Sequence, residues 1–267
     1  MAIKLLAIDM DGTCLNSRNK ISDETLYSLR QARSQGIELL PTTGRTLTCI
    51  PYQLQQSGLF RYVITSNGAV LTDVETGETI FNALMPLEKA MDMMCKCKGA
   101  GLGMTAHIGH EYLVQGKPLA VMGRFQYGKD ASNSQTVQSI LSYAEEKQQD
   151  VEELQFFFFN QKARRRTELA LEQEKDLAAT YSGFYVEIYS QNATKGKALA
   201  AAAKYLAIDR SEIACIGDGE NDLPMFQEAG TRFAMGNAIP ALKAAADKVV
   251  SSNDQNGVAE AIQALLT

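Results

Sequence analysis

Proline is scarce in the 267-residue sequence, at 6, and the 20 glycines do not raise the pair to the level of collagen-like or low-complexity chains. Its cysteines are few and unordered. Cys14, Cys49, Cys95, Cys97 and Cys215 are odd in number and lack the spacing of a disulfide framework, so a reducing, cytoplasmic location is expected. No apolar run approaches the roughly 20 residues of a membrane span. Residues 1 to 8 are too short for the apolar part of a secretory signal and end at Asp9, so neither secretion nor membrane partnership is expected. Long basic runs are missing too. The 26 Lys plus Arg face 31 Asp plus Glu, for a formal charge of −5, which argues against a nucleic-acid partner. The densest basic cluster, Arg164 to Arg166, is followed by Glu168, Glu172 and Glu174, the pattern of a solvated helix face. A small-molecule partner is the remaining expectation.

What is present is enough for a folded core: 45% of residues are hydrophobic, and a chain of this length needs no disulfide or metal staples. Residues 3 to 8 read as a buried strand ending in Asp9-Met10-Asp11-Gly12. Ser22 caps a helix that Gly36 ends. Further strands are expected at 37–40, 62–65, 213–216, 232–235 and 249–251, with helices at 46–56, 196–206, 223–228, 240–246 and 257–266. That alternation predicts a Rossmann-like parallel sheet covered by helices. Between residues 84 and 187 the rhythm changes. A helix around Met91, Met94 and Cys95, strands within 103–114, a helix at 135–147, a strand at 154–159, a helix at 163–177 and a strand at 184–189 read as an inserted α+β unit. The fold class is therefore α/β, with a core of residues 1–83 and 188–267 and an inserted α+β unit of residues 84–187. Phe156 to Phe159 fit a buried strand better than a stacking platform.

Four polar clusters fall where strands end: Asp9 and Asp11, Thr42 to Arg45, Ser66 and Asn67, and Asp218 to Asp222. Parallel strands bring their carboxyl ends to one edge, where open α/β sheets bind ligands. Converging carboxylates repel one another unless a divalent cation sits among them, and oxygen ligands favour Mg²⁺, which commonly bridges carboxylates to a phosphate. Glycines 12, 44, 68, 217 and 219 permit close backbone approach to an anion. Lys195 opposes the positive end of the helix that follows it, so an anionic partner is expected beside it. The acidic loops superficially resemble calcium loops, but an EF-hand needs glycine sixth and glutamate twelfth; from Asp9 these are Cys14 and Lys20, and from Asp218 they are Leu223 and Ala229. His107 and His110 lack an accompanying zinc-ligand pattern. A Gly-x4-Gly-Lys-Ser/Thr loop is missing after the first strand, which excludes a P-loop NTPase.

Taken in order, Asp9-Met10-Asp11-Gly12-Thr13, Thr42-Thr43-Gly44-Arg45, Lys195-Gly196-Lys197-Ala198-Leu199 and Gly217-Asp218-Gly219-Glu220-Asn221-Asp222 resemble the four motifs of haloacid-dehalogenase-like (HAD) phosphatases. Ser66-Asn67-Gly68-Ala69 and Met235-Gly236-Asn237-Ala238 look like their Cof-type branch, which carries a large cap between the second and third motifs; the resemblance makes the inserted α+β unit of residues 84–187 that cap. The resemblance implies a hydrolase of phosphoric monoesters that acts through an aspartyl phosphate, with Asp9 as nucleophile and Asp11 as the acid that protonates the leaving alkoxide and then activates water. It implies substrate contacts from Met10, Thr43, Gly44, Lys195 and Asn221, and Mg²⁺ held by Asp9, the Asp11 carbonyl and Asp218, with Asp222 in support. The role of Arg45 stays open. The implied partner is a small phosphorylated metabolite such as a sugar phosphate, selected by the cap, and the implied state is a monomer or weak homodimer. Two rivals remain: a phosphosugar mutase, and a non-catalytic phosphometabolite-binding regulator. The second would need the acceptor aspartate but no acid two residues later.

Overall fold

The structure is a computed structural model that describes residues 2–127 and 133–267, with backbone alone at 123–127. Met1, the first residue of the segment weighed as a signal, lies outside the described residues. In chain order the elements are β1 (Leu5–Asp9), α1 (Asp23–Ser34), β2 (Glu38–Thr42), α2 (Tyr52–Gln55), β3 (Tyr62–Thr65), β4 (Val70–Asp73), β5 (Thr79–Asn82), α3 (Leu87–Cys97), β6 (Leu102–Ile108) and β7 (Glu111–Gln115). They continue with α4 (Lys117–Tyr127), β8 (Gln135–Val137), α5 (Ile140–Lys147), β9 (Glu153–Phe158), α6 (Gln161–Leu171), β10 (Leu177–Ser182) and β11 (Tyr185–Ser190). The last are α7 (Lys195–Leu206), β12 (Ile213–Gly217), α8 (Leu223–Glu228), β13 (Thr231–Ala234), α9 (Pro240–Ala245), β14 (Lys248–Val249) and α10 (Gly257–Leu266). No helix among the described residues is long and apolar enough to cross a membrane.

The chain divides into two compact units. The first holds Met1–Gly44, Pro51–Asn82 and Thr194–Thr267. Its sheet runs β14-β13-β12-β1-β2-β3-β4-β5, parallel from β14 to β3 and closed by the antiparallel β4 and β5. All five residues of β1 and all five of β12 are buried, as a central parallel strand covered on both faces requires. Ser22 caps α1 by accepting a hydrogen bond from the Thr25 amide at 3.1 Å, and Asp23 and Glu24 in its first turn complement the helix dipole.

The second unit holds Arg45–Ile50 and Ala83–Ala193. Its sheet, β10-β11-β9-β6-β7-β8, is antiparallel except where β7 meets β8. One face carries Met104, Ala106, Ile108, Leu154, Phe156, Val186 and Ile188 into a core with Ala90, Met93 and Met94 of α3, Ala144 of α5 and Ala163 of α6. Period two in the strands and three to four in the helices produces that common face. Phe156 and Phe158 are buried as expected of a strand, whereas Phe159, beyond its end, is exposed.

Three expected helices are corrected, and two segments group with the second unit. The helix expected over 46–56 is one 3-10 turn, Leu47–Cys49, and then α2, because Pro51 has no N–H to donate and holds Ile50 extended. Residues 45–50 belong to the second unit, where the Thr48 hydroxyl donates to the His110 carbonyl at 3.1 Å and the Asn133 amide to the Thr48 carbonyl at 2.7 Å. Residues 188–193 fall there too, since β11 pairs along its length with β10 and cannot be divided. The helix expected over 163–177 ends at Leu171, and Leu177–Ser182 instead forms edge strand β10; the one expected over 135–147 is β8 followed by α5, which Ser139 caps at 3.2 Å. Helix α4 had no counterpart in the sequence reading.

Candidate active site

Parallel register sets the edge. Asp9 pairs with Thr42 across β1 and β2, and Ile8 pairs with Ile216 just before β12 ends at Gly217. The loops that leave these three strands therefore start side by side. After β1 the chain folds back at once: the Cys14 amide donates to the Asp9 carbonyl at 3.2 Å and the Leu15 amide to the Met10 carbonyl at 2.8 Å. Gly12 makes this possible with a φ of +84°; a Cβ there would fall 2.4 Å from Asp218 Oδ2.

Asp9 is buried, Asp11 is exposed, and the Met10 side chain lines a small apolar void with Ile8, Leu29, Leu39 and Leu54. Any ligand contact by Met10 thus falls to its backbone. Lys195 opens α7, whose N-cap Thr194 accepts from the Lys197 amide at 3.1 Å. The anionic partners expected beside this lysine are carboxylates of the protein: its ammonium donates to Asp9 Oδ1 and, at 2.7 Å, to Asp222 Oδ1. The other Asp222 oxygen accepts the Asp218 amide at 2.9 Å and the Gly219 amide at 3.0 Å. Both Asp222 oxygens are thus engaged by protein donors. Asp218 accepts from the Thr13 hydroxyl at 2.8 Å, and the Asn237 amide lies 2.8 Å from the Gly12 carbonyl and 3.4 Å from Asp218 Oδ2.

Asp9, Asp218 and Asp222 each offer an oxygen within 4.8 Å of the others, the one such grouping among the described residues. Three carboxylates against one ammonium leave two negative charges uncompensated. Burial, and after it the neighbouring Asp222, pushes the Asp9 carboxyl well above the usual carboxylate range despite Lys195. Burial raises Asp218 as well. For Lys195, burial acts to lower the ammonium, but Asp222 and Asp9 outweigh it and the net shift is upward. A divalent cation suits this donor set by charge and by oxygen chemistry.

The remaining motif residues divide. Thr43 is buried and Gly44 half-buried in the first unit, while Arg45 belongs to the second, where its guanidinium reaches the Cys49 carbonyl at 3.4 Å. Asn221 donates to Asn67 Oδ1 at 3.0 Å. His107 is buried 3.9 Å from Glu153, and His110 stands 3.8 Å from Glu152. Neither joins a grouping of three metal-ligating side chains among the described residues. Asn67, Thr13 and Asn237, which the sequence motifs contain without a role of their own, are site-building residues. Their signal was present in the Asn-Gly turn after β3 and in the Gly-Asn pair after β13.

A family model described as haloacid dehalogenase-like hydrolase matches residues 6–262. Among curated proteins, the phosphatase YwpJ of Bacillus subtilis is 33% identical over 99% of this chain and 100% of its own. A 5-amino-6-(5-phospho-D-ribitylamino)uracil phosphatase of the same organism, YcsE, is 30% identical over 98% of this chain and 95% of its own. Among solved structures, a haloacid dehalogenase-like hydrolase from B. subtilis superposes with a TM-score of 0.84 at 30% identity, over 98% of this chain and 99% of that one. With the family model spanning nearly the whole sequence, the chain belongs to the haloacid dehalogenase-like hydrolases.

Proposed function

We propose that the protein is a Mg²⁺-dependent phosphatase that hydrolyses phosphate monoesters of small metabolites, sugar phosphates and related phosphorylated polyols, through an aspartyl phosphate on Asp9. The observation that carries the reading is the buried carboxylate of Asp9 at the end of β1, fixed by Lys195 beside two further carboxylates. Phosphatase relatives of nearly full length support the reaction class, and the phosphoribityl group in one relative's name supports a polyol phosphate.

In the first half-reaction an Asp9 oxygen bonds to phosphorus as the ester P–O bond breaks, and the departing alkoxide takes the proton of Asp11. In the second, Asp11 takes a proton from water, whose oxygen bonds to phosphorus, and the bond to Asp9 breaks to release inorganic phosphate. Thr43, the Gly44 amide and the Asn221 amide hold phosphate oxygens, and Lys195 fixes the rotation of the Asp9 carboxylate. Asp9, the Asp11 carbonyl and Asp218 would hold Mg²⁺, which supplies charge neutralisation at the phosphoryl oxygens. Asp222, with both oxygens occupied, acts in support by anchoring Lys195 and the Asp218 loop. The second unit, Arg45–Ile50 with Ala83–Ala193, selects the leaving group.

The test is release of free phosphate from a panel of sugar, polyol and cofactor phosphates with Mg²⁺, read as kcat/KM. Asp9→Asn is expected to retain the fold by circular dichroism and to lose turnover. Near-normal activity in that variant would overturn the mechanism, and conversion of a hexose 1-phosphate without free phosphate would replace hydrolysis by a mutase reaction.

A further inference from the structure

The turn after β3 touches three of the elements assigned to phosphate. Ser66 and Asn67 both have left-handed backbone, with φ of +48° and +56°, a conformation that asparagine tolerates and serine seldom adopts. The turn is held from both sides. The Asn67 amide donates to the Thr43 carbonyl at 3.0 Å, and the Thr43 amide donates to the Ile64 carbonyl at 2.9 Å. Gly68, at φ +98°, lies against the start of α7 so closely that a Cβ would fall 2.2 Å from the Thr194 carbonyl carbon and 2.6 Å from the Lys195 nitrogen.

The side chain of Asn67 completes the arrangement. It is 5% exposed. Its Oδ1 accepts the Asn221 side-chain amide at 3.0 Å, and a Cβ on Gly44 would meet Asn67 Oδ1 at 3.0 Å and Nδ2 at 3.2 Å. One buried amide therefore lies against the Gly44 loop and the Asn221 loop, while its own turn abuts the Lys195 helix. All of these residues belong to the first unit. Asn221 itself is exposed and sits in a single 3-10 turn, Glu220–Asp222. Without an acceptor at Asn67 its amide would sample several rotamers, and ordering it would fall to the ligand.

We propose that Asn67 is a positioning residue for phosphate recognition: it orients the Asn221 amide toward the phosphate and sets its spacing from the Gly44 loop. The inference rests on the phosphatase reading and deepens it, and it separates the backbone role of this turn from the role of its side chain. Glycine keeps the left-handed backbone and removes only the amide, so Asn67→Gly is the informative substitution.

Two readouts test it: calorimetric binding of inorganic phosphate in the presence of Mg²⁺, and turnover of p-nitrophenyl phosphate. Asn67→Gly is expected to weaken phosphate binding about tenfold, the size of one neutral hydrogen bond, and to raise KM similarly with a smaller change in kcat. In an Asn221→Ala background the same substitution is expected to add less than twofold, since its effect runs through Asn221. Binding within twofold of wild type, or losses that multiply in the double variant, would overturn the proposal. Gly44→Ala probes the contact from the other side and serves where Asn67→Gly does not fold. Its Cβ presses on the Asn67 amide, so it weakens phosphate more in the wild-type background than in Asn221→Ala; equal effects in both backgrounds overturn the proposal. Failure of the phosphatase reading is distinguishable, because it appears as missing turnover in the wild type while the binding comparison stands.

Discussion

Asp222→Asn should unfold the first unit more readily while leaving its shape unchanged, and the size of the effect follows from what surrounds that carboxylate. Asp222 is fully buried and takes three donors: the Lys195 ammonium at 2.7 Å and the amides of Asp218 and Gly219 at 2.9 and 3.0 Å. An asparagine of the same shape can present its oxygen to the lysine or to the amides, but not to both. Whichever side meets the NH₂ group then loses its acceptor. Removing one partner of a buried ion pair costs about 3 to 5 kcal/mol. Lys195 keeps Asp9, which places the cost at the lower end, and the relief of repulsion among three carboxylates reduces it further. The expectation is a loss of about 2 kcal/mol at pH 7, roughly thirtyfold in the folding equilibrium. Equilibrium urea unfolding measures it, followed by circular dichroism and tyrosine emission, since the sequence has no tryptophan. Asp218→Asn is the control. Asp218 is less buried and its side chain is held by the Thr13 hydroxyl and, more loosely, by Asn237, so this variant should lose little stability while losing Mg²⁺ response. A cost under about 1 kcal/mol for Asp222→Asn, or a larger cost for Asp218→Asn, would refute the reasoning.

Two further predictions concern residues outside the reaction. Burial lowers the His107 imidazole to about 3, so below the unfolded value of roughly 6.5 the unfolded chain binds the extra proton first. Stability of the second unit is then full above that value and is lost as pH falls toward 3, by up to about 1.4 kcal/mol per pH unit. His107→Gln should flatten the dependence of urea midpoints on pH between 4 and 7, and an unchanged slope would contradict it. Cys14 is buried beside Asp9 and Asp11, and burial first, then those carboxylates, pushes its thiol up to about 12. Iodoacetamide at pH 8 should therefore modify exposed Cys95 and leave Cys14 intact in the native protein, as peptide mass mapping would read.

Legibility in the sequence followed the range of the interactions involved. Elements whose cause is local were readable. Ser22 with Asp23 and Glu24 marked the start of α1, and the apolar run before Asp9 marked β1, because capping and two-sided burial are written in a few adjacent residues. Elements whose cause is distant were not. Leu177–Ser182 has no strong strand preference and becomes β10 only by pairing with β11, and Gln135–Val137 leaves the expected helix to pair with β7. Pro51 was visible in the sequence, and it divides residues 46–56 as its chemistry requires.

The candidate site shows the same division. Sequence alone determined which chemistry was available: two aspartates after one strand, a threonine-glycine turn after the next, a lysine at a helix start and an acidic loop after a late strand. Parallel pairing then dictated that these ends share an edge, so their convergence could be read before any coordinate. What only the tertiary structure decided is how the groups share one another. Lys195 lies between Asp9 and Asp222, both Asp222 oxygens are engaged within the protein, and Asn67 holds Asn221 across 154 residues of sequence. The reason is physical. Residue type and local spacing fix what a side chain can donate or accept, but which partner it meets depends on strand order and on side-chain approach over distances that no local pattern encodes.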